Sequence, residues 1–288
     1  MIKIKVPATT ANIGCGFDTL GCALTLYSTF TFDKNDVFKI TGCPEKYQNE
    51  ENLVITSYKK VFETLNKDMI PVSLHIDSEI PVSRGLGSSA SCIVAGIWAA
   101  NHFLGYPLNK EDCLDIATQI EGHPDNVAPA IYGNLCSSFM GDQVYTAHFD
   151  ASQDLNLLVM IPDFEVSTNE ARKVLPKTID YKDAIYNLSR VACLCKALEK
   201  NDQKMIHHAL KDKLHEPYRK ELIHEYEEIK DICKDEVAFF ISGSGPTLIC
   251  IVKNDMNEII KKIGQLKWNW KCLSLNIDKN GVQEELYD

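Results

Sequence analysis

The run Pro81-Val82-Ser83-Arg84-Gly85-Leu86-Gly87-Ser88-Ser89-Ala90-Ser91 constrains this chain more than any other stretch. Two glycines and a series of small residues lead straight into an apolar segment with helical spacing, Ile93, Ile97, Ala100 and Leu104, which Gly105 ends. Small residues let the backbone come close to a bulky anion. The first N–H groups of a helix lack internal partners and lie at the positive end of its dipole. Together they form a cradle for a nucleotide polyphosphate, and a serine hydroxyl in such a loop can reach a metal ion held by the phosphates. No lysine follows the glycines as in a Walker A loop, and the spacing is not that of a dinucleotide-binding turn. The plainer alternative is a glycine-rich turn before a helix. The full string, with its preceding proline and following apolar helix, argues against it.

The rest of the pattern describes a mixed α+β chain. Ile2–Val6, Leu24–Phe32 and Val72–Ile76 have strand character, and a second helix opens at Asn109 with Asp112 three residues on and closes at Gly122. Beyond residue 150, Leu155–Ile161 is a buried strand that stops at Pro162, and Ser167 with Glu170 opens a short helix. Helices are predicted over Ala184–Lys200, Gln203–Lys211 and Pro217–Cys233. A hairpin is predicted from Val237–Ser242 and Leu248–Val252, then a helix over Met256–Leu266 and a strand over Cys272–Ile277. Without the extra helices this order is the ferredoxin-like βαββαβ. The boundary between two domains, 1–150 and 151–288, falls near Ala151.

Composition narrows the function classes. The 288 residues are 45% hydrophobic, enough for a real core, and carry a formal net charge of −10. An acidic chain does not attract nucleic acid or an anionic membrane, so an anionic substrate must be held by local cations and backbone N–H groups. No run of about 18 apolar residues marks a membrane span. The alternating start from Met1 to Val6 reads as a strand, not as a secretion signal. The 11 cysteines are scattered, and Cys92, Cys136, Cys193 and Cys250 lie in apolar stretches. Buried thiols in a reduced, cytoplasmic protein are expected, with no zinc motif.

The phosphate-loop string resembles the second signature of the GHMP kinases. Ser242-Gly243-Ser244-Gly245-Pro246, between two predicted strands, resembles their third. The opening Pro7-Ala8-Thr9-Thr10-Ala11-Asn12-Ile13-Gly14-Cys15-Gly16-Phe17-Asp18 is similar to that of members acting on homoserine, whose usual form is PATSANLGPGFD, with Cys15 at a customary proline. His123-Pro124-Asp125-Asn126-Val127-Ala128-Pro129 is also typical of those members.

The resemblance implies a two-domain GHMP kinase fold. Its N-terminal ATP-binding domain would hold a left-handed βαβ unit, and its C-terminal domain would be ferredoxin-like with extra helices. It implies ATP-dependent phosphorylation of the L-homoserine hydroxyl, a step of threonine biosynthesis. ATP would lie on Pro81–Ser91, with Asn52 near the adenine. Mg²⁺ would be held by Ser88 and Glu121. The amino acid would be held by Asn12 and Asp18 at its ammonium, by Arg172 and Arg219 at its carboxylate, and by His123, Asn126 and Thr168. Asn126, placed beside the reacting hydroxyl, cannot accept a proton at neutral pH. That leaves a late proton loss without a base. Both arginines are expected in first turns of helices, against the dipole. A homodimer is compatible with this reading. The alternatives are a GHMP kinase for another small alcohol such as mevalonate, and a ligand-binding relative without catalysis.

Overall fold

The computed structural model describes residues 1–286. The chain opens with two long antiparallel strands, β1 (Ile2–Ala11) and β2 (Leu20–Lys34). Ile2, Ile4 and Val6 are buried and alternate with half-buried Lys3 and Lys5, so one face of β1 packs on the core. β3 (Lys39–Thr41), α1 (Leu53–Thr64) and β4 (Val72–Ser78) then make a parallel βαβ unit. Asn52 caps α1, its side-chain oxygen accepting the Val54 N–H at 2.9 Å. The helices α2 (Ser88–Phe103), α3 (Lys110–Glu121) and α4 (Pro124–Tyr132) follow. Gly96 lets α1 approach α2, since a Cβ there would lie 2.2 Å from the Val54 carbonyl oxygen. The hairpin β5 (Leu135–Met140) and β6 (Val144–Phe149) extends the sheet from β2.

The second sheet begins with β7 (Asn156–Pro162). Five helices precede its next strand: α5 (Thr168–Lys173), α6 (Tyr181–Lys200), α7 (Gln203–Ala209), α8 (Glu216–Arg219) and α9 (Tyr226–Ile232). β8 (Ala238–Ile241), β9 (Leu248–Val252), α10 (Met256–Ile263) and β10 (Trp270–Leu275) complete it. Its order, β10-β7-β9-β8 with antiparallel pairing throughout, is the ferredoxin-like topology expected from the element order. The chain then returns: β11 (Gln283–Leu286) pairs with β1 and completes a seven-stranded first sheet. An apolar core joins the two sheets, with Ala8, Leu20 and Leu24 of the first packed among Leu157, Val159 and Ile249 of the second. No helix among the described residues is long and apolar enough to cross a membrane.

Three expectations are corrected. The helix over 217–233 is two short helices, because Glu225 takes a left-handed φ of 58° and Ile223 is extended. Arg172 and Arg219 stand in the last turns of α5 and α8, where a cation suits the dipole. All eleven cysteines are free, but Cys193 is exposed on α6.

Candidate active site

A cleft of about 600 Å³ runs along the seam between the sheets, with the phosphate loop as its floor. Gly87 precedes α2 with a left-handed φ of 68°, and a Cβ there would come 1.9 Å from the Thr9 hydroxyl. Gly85, φ 72°, lies against the Ser242 carbonyl. Only glycine meets both demands, which is why the loop has this spacing. Several residues of the string give backbone alone. Leu86 is core, its carbonyl accepting the Thr9 N–H at 3.2 Å; Ala90 is buried; the Ser91 hydroxyl turns back to the Ser88 carbonyl at 2.9 Å.

Pro81, Val82 and Ser83 line the cleft. Arg84 also lines it, but its guanidinium donates to the carbonyls of Val82, Pro162 and Asp163 and pairs with Glu165 at 3.1 Å, strapping the loop to β7. Ser88 and Ser89 stand at the start of α2, and Ser89 donates to Glu121 Oε2 at 2.7 Å. Burial raises the half-buried Glu121 carboxyl, opposed by that hydrogen bond. Asn52 lines the far end beside Phe30, Tyr47 and Ile76.

At the other end the glycine-rich turn after β8 clasps both N-terminal loops. Gly243 N–H donates to the Ala11 carbonyl at 3.0 Å, and Ser242 Oγ lies 2.9 Å from the Thr10 hydroxyl and 2.6 Å from the Gly85 carbonyl. Asn12, at φ 70°, donates to the Gly243 carbonyl at 2.7 Å and accepts the Asp18 N–H at 2.9 Å, so it shapes the turn that carries Asp18. Asp18 takes Arg172 in a two-point pair at 3.0 and 3.1 Å. Arg219, 2% exposed, donates to the Ala171 carbonyl at 3.2 Å and the Gly243 carbonyl at 3.0 Å. Burial lowers it to about 10, which leaves it charged at neutral pH.

Asn126 Oδ1 accepts the Thr9 hydroxyl at 2.8 Å, which ties it to the loop around Gly87. His123, the residue before α4, meets buried Asp125 at 2.6 Å, and that bond raises its pKa. Thr168, the first residue of α5, lines the same cleft. All of Asn12, Asp18, Glu121, His123, Asn126, Arg172 and Arg219 therefore face one space.

Comparison with known proteins agrees with this geometry. The GHMP kinases N terminal domain matches residues 52–134, and the GHMP kinases C terminal domain matches residues 194–267. A homoserine kinase of Clostridium botulinum is 42% identical over 290 residues, covering 98% of each chain. One of Clostridium beijerinckii is 39% identical, also over 98% of each. The crystal structure of homoserine kinase from Cytophaga hutchinsonii superposes with a TM-score of 0.88 at 28% identity, covering 99% of this chain and 97% of that one. The chain belongs to the homoserine kinases, within the GHMP kinases.

As a homoserine kinase the chain differs from the family's usual opening string at Thr10, Ile13 and Cys15, and of these Cys15 bears on the backbone. The Cys15 N–H donates to the Leu210 carbonyl at 3.2 Å, a bond that the customary proline cannot make. Behind Arg219 lies a group that sequence reasoning missed. His215 is fully buried, its Nε2 2.9 Å from the Gly14 carbonyl and its Nδ1 3.4 Å from Arg219. A carbonyl can only accept, so Nε2 carries the proton and Nδ1 is free to accept from Arg219. Phe17 stacks on this ring at 5.2 Å and lies 5.0 Å from the Arg219 guanidinium. Asp212 accepts the N–H groups of Leu214, His215 and Glu216 and fixes the turn. Sequence reasoning also passed over Thr9, whose place inside the opening string is a signal that could have found it; His215 gave no signal, as a single histidine four residues before an arginine.

Proposed function

We propose that this chain transfers the γ-phosphoryl group of ATP to the side-chain hydroxyl of L-homoserine, giving ADP and O-phospho-L-homoserine. The observation that carries this reading is one cleft with a polyphosphate cradle at its centre and, next to it, a carboxylate and two guanidiniums. Asp18 suits an ammonium, and Arg172 and Arg219 suit a carboxylate. Mevalonate has no ammonium for Asp18. In this reading ATP lies along Pro81–Ser91, with its base toward Asn52 and Tyr47, and we take residues 1–150 as the unit that carries it.

Phosphoryl transfer depends on positioning and charge neutralisation. The N–H groups that open α2 face the phosphates. Ser88 and Glu121 would hold Mg²⁺, and their hard oxygen donors fit it. Bound there, Mg²⁺ would offset charge on the transferring group. Asn126, oriented by Thr9, donates one Nδ2 hydrogen to Asp125 Oδ1 at 3.4 Å, keeps the other to donate and offers the hydroxyl no base, so the proton leaves late, toward the transferred phosphoryl group. His123 and Thr168 border the amino-acid end.

The test is ADP release by the purified protein against a panel of alcohols. Homoserine with MgATP should exceed mevalonate, galactose and L-serine by about a hundredfold in kcat/KM, because mevalonate and galactose lack the paired charges and L-serine, one methylene shorter, holds its hydroxyl short of the phosphates. Equal turnover of mevalonate would refute the assignment.

A further inference from the structure

A second cavity of about 590 Å³ opens beside the cleft, lined on its outer side by Pro124, Ser138, Phe139 and Met140. Five residues line both spaces: Asp18, Glu121, His123, Thr168 and Arg172. The Asp18–Arg172 pair thus stands where the two meet. The side chains of Asp18 and Arg172 are 37% and 39% exposed, and among the described residues the Arg172 guanidinium donates to Asp18 alone. A pair this open to water is weak and readily exchanged. Arg219 differs: it is buried and anchored on two carbonyls and His215.

We propose that the Asp18–Arg172 pair is a latch that the amino acid opens by exchange, its ammonium taking Asp18 and its carboxylate taking Arg172. The inference rests on the reading of these two residues as opposite ends of the amino-acid site. A zwitterion breaks one ion pair and makes two, leaving no charge alone. A ligand with one charge breaks the same pair and makes one, stranding the opposite charge in a partly dry site. Selectivity therefore depends on both charges together, beyond the sum of two independent grips. The latch also keeps the lone Asp18 and Arg172 neutralised before substrate arrives, and its opening joins the outer cavity to the cleft, giving the amino acid a path that does not cross the nucleotide.

The test uses three unreactive probes, L-2-aminobutanoate, butanoate and propylamine, as competitive inhibitors at homoserine concentrations below KM. They carry both charges, the anion alone and the cation alone. Removing one half of the latch frees the other for the matching single charge. Asp18→Asn should tighten butanoate by two- to about fivefold relative to wild type, and Arg172→Gln should tighten propylamine by a similar factor. Fivefold corresponds to about 1 kcal/mol, the strength of an exposed pair. Both variants should weaken L-2-aminobutanoate at least about tenfold and raise the KM for homoserine. If homoserine binding weakens while neither single-charge probe gains, the latch is wrong and the two grips stand. If homoserine and L-2-aminobutanoate bind unchanged, the underlying assignment of the two residues is wrong. Wild-type protein gives a reading that needs no variant: butanoate and propylamine together should inhibit more strongly than independent competition allows, since the second closes on the charge that the first strands. Simple additive competition would overturn the latch.

Discussion

The phosphate end and the amino-acid end of the cleft are built by opposite means. Apart from Glu121 at the end of α3, the phosphate end is one contiguous run, and what that run offers is mostly backbone. Leu86 and Ala90 are turned into the protein, and Arg84 is tied to β7. The amino-acid end draws Asp18, Asn126, Arg172 and Arg219 from four distant segments, each already hydrogen-bonded to another part of the molecule. A polyphosphate presents many equivalent oxygens, so neighbouring N–H groups can meet it. A zwitterion needs two opposite charges held apart, and side chains from a turn and three helices must be brought together for that. Chemistry at the first end should fail through turnover, and at the second through affinity.

The largest effect should come from Glu121, at the phosphate end. Glu121→Ala is expected to lower kcat about a hundredfold at limiting Mg²⁺, because it removes a carboxylate that holds or orients the ion. Ser89→Ala removes only the hydrogen bond that aims this carboxylate, and about tenfold is expected. Titration of MgATP against initial rate checks both. Near-normal turnover in Glu121→Ala would remove Glu121 from the phosphate end.

Next is Arg219. A charge-assisted hydrogen bond contributes about 1.5–3 kcal/mol, or about 10- to 150-fold in affinity. Arg219→Ala should raise the KM for homoserine by that factor and leave the KM for ATP nearly unchanged. It should also lower the melting temperature, because the buried guanidinium joins α5 to the glycine-rich turn. Arg172→Ala should raise the same KM with little change in melting temperature, since its side chain is 39% exposed. Lysine should rescue Arg172 only in part, lacking the two-point fork. Equal effects on ATP and homoserine would break the division between the two ends.

A smaller effect concerns acid. Burial lowers His215 from an ordinary 6.5 to about 4. Between those values the unfolded chain binds a proton that the folded chain refuses, so stability falls as pH drops through this window. The buried Glu216 carboxyl beside it is raised to about 8, which works in the other sense, with stability falling as pH rises between 4.5 and 8. His215→Gln leaves Glu216 in place and removes the first slope alone. From pH 7 to 4.5 the two slopes oppose each other in the wild-type protein, so the variant should gain stability relative to wild type as pH falls, which denaturant melts of both proteins check.

The same contrast explains what could be read from the sequence. The phosphate loop was legible because its meaning is local: glycines at fixed spacing, then a helix. The ferredoxin order was legible because each strand and helix carries its own period. The return of β11 to β1 was not, since pairing across almost the whole chain leaves no local mark. Nor was α4, because Pro129 stands inside it. Proline removes a donor four residues after Asp125, and the Asp125 carbonyl lies instead against Gly21, where no Cβ intervenes. The two arginines were assigned to a carboxylate by family resemblance, but their place in the last turns of α5 and α8 depends on where those helices stop. At Arg219 that stop is followed by a tight turn and the left-handed Glu225.

The smallest expected effect tests how rigid the amino-acid end must be. Cys15 stands where the family's opening string usually has proline. Its N–H donates to Leu210, whose carbonyl also lies against Gly14, a position where a Cβ would come within 1.8 Å. Cys15→Pro removes that donor and leaves the buried Leu210 carbonyl short of a partner, a loss of about 1–3 kcal/mol. Proline also restricts the unfolded chain, which returns about 0.4–1 kcal/mol. The return is partial, so the net change should be a destabilisation of about 2 kcal/mol or less. The turn from Asn12 to Asp18 is held independently, by the Asn12 side chain on the Asp18 N–H and by Asn187 on the Cys15 carbonyl. The KM for homoserine should therefore move less than about threefold, well under the effect of Arg219→Ala. A thermal melt and a homoserine titration of the one variant decide it. A large rise in KM with an unchanged melt would mean that the Leu210 contact sets the position of Asp18, and that the amino-acid end is aimed from α7 as well as from the glycine-rich turn.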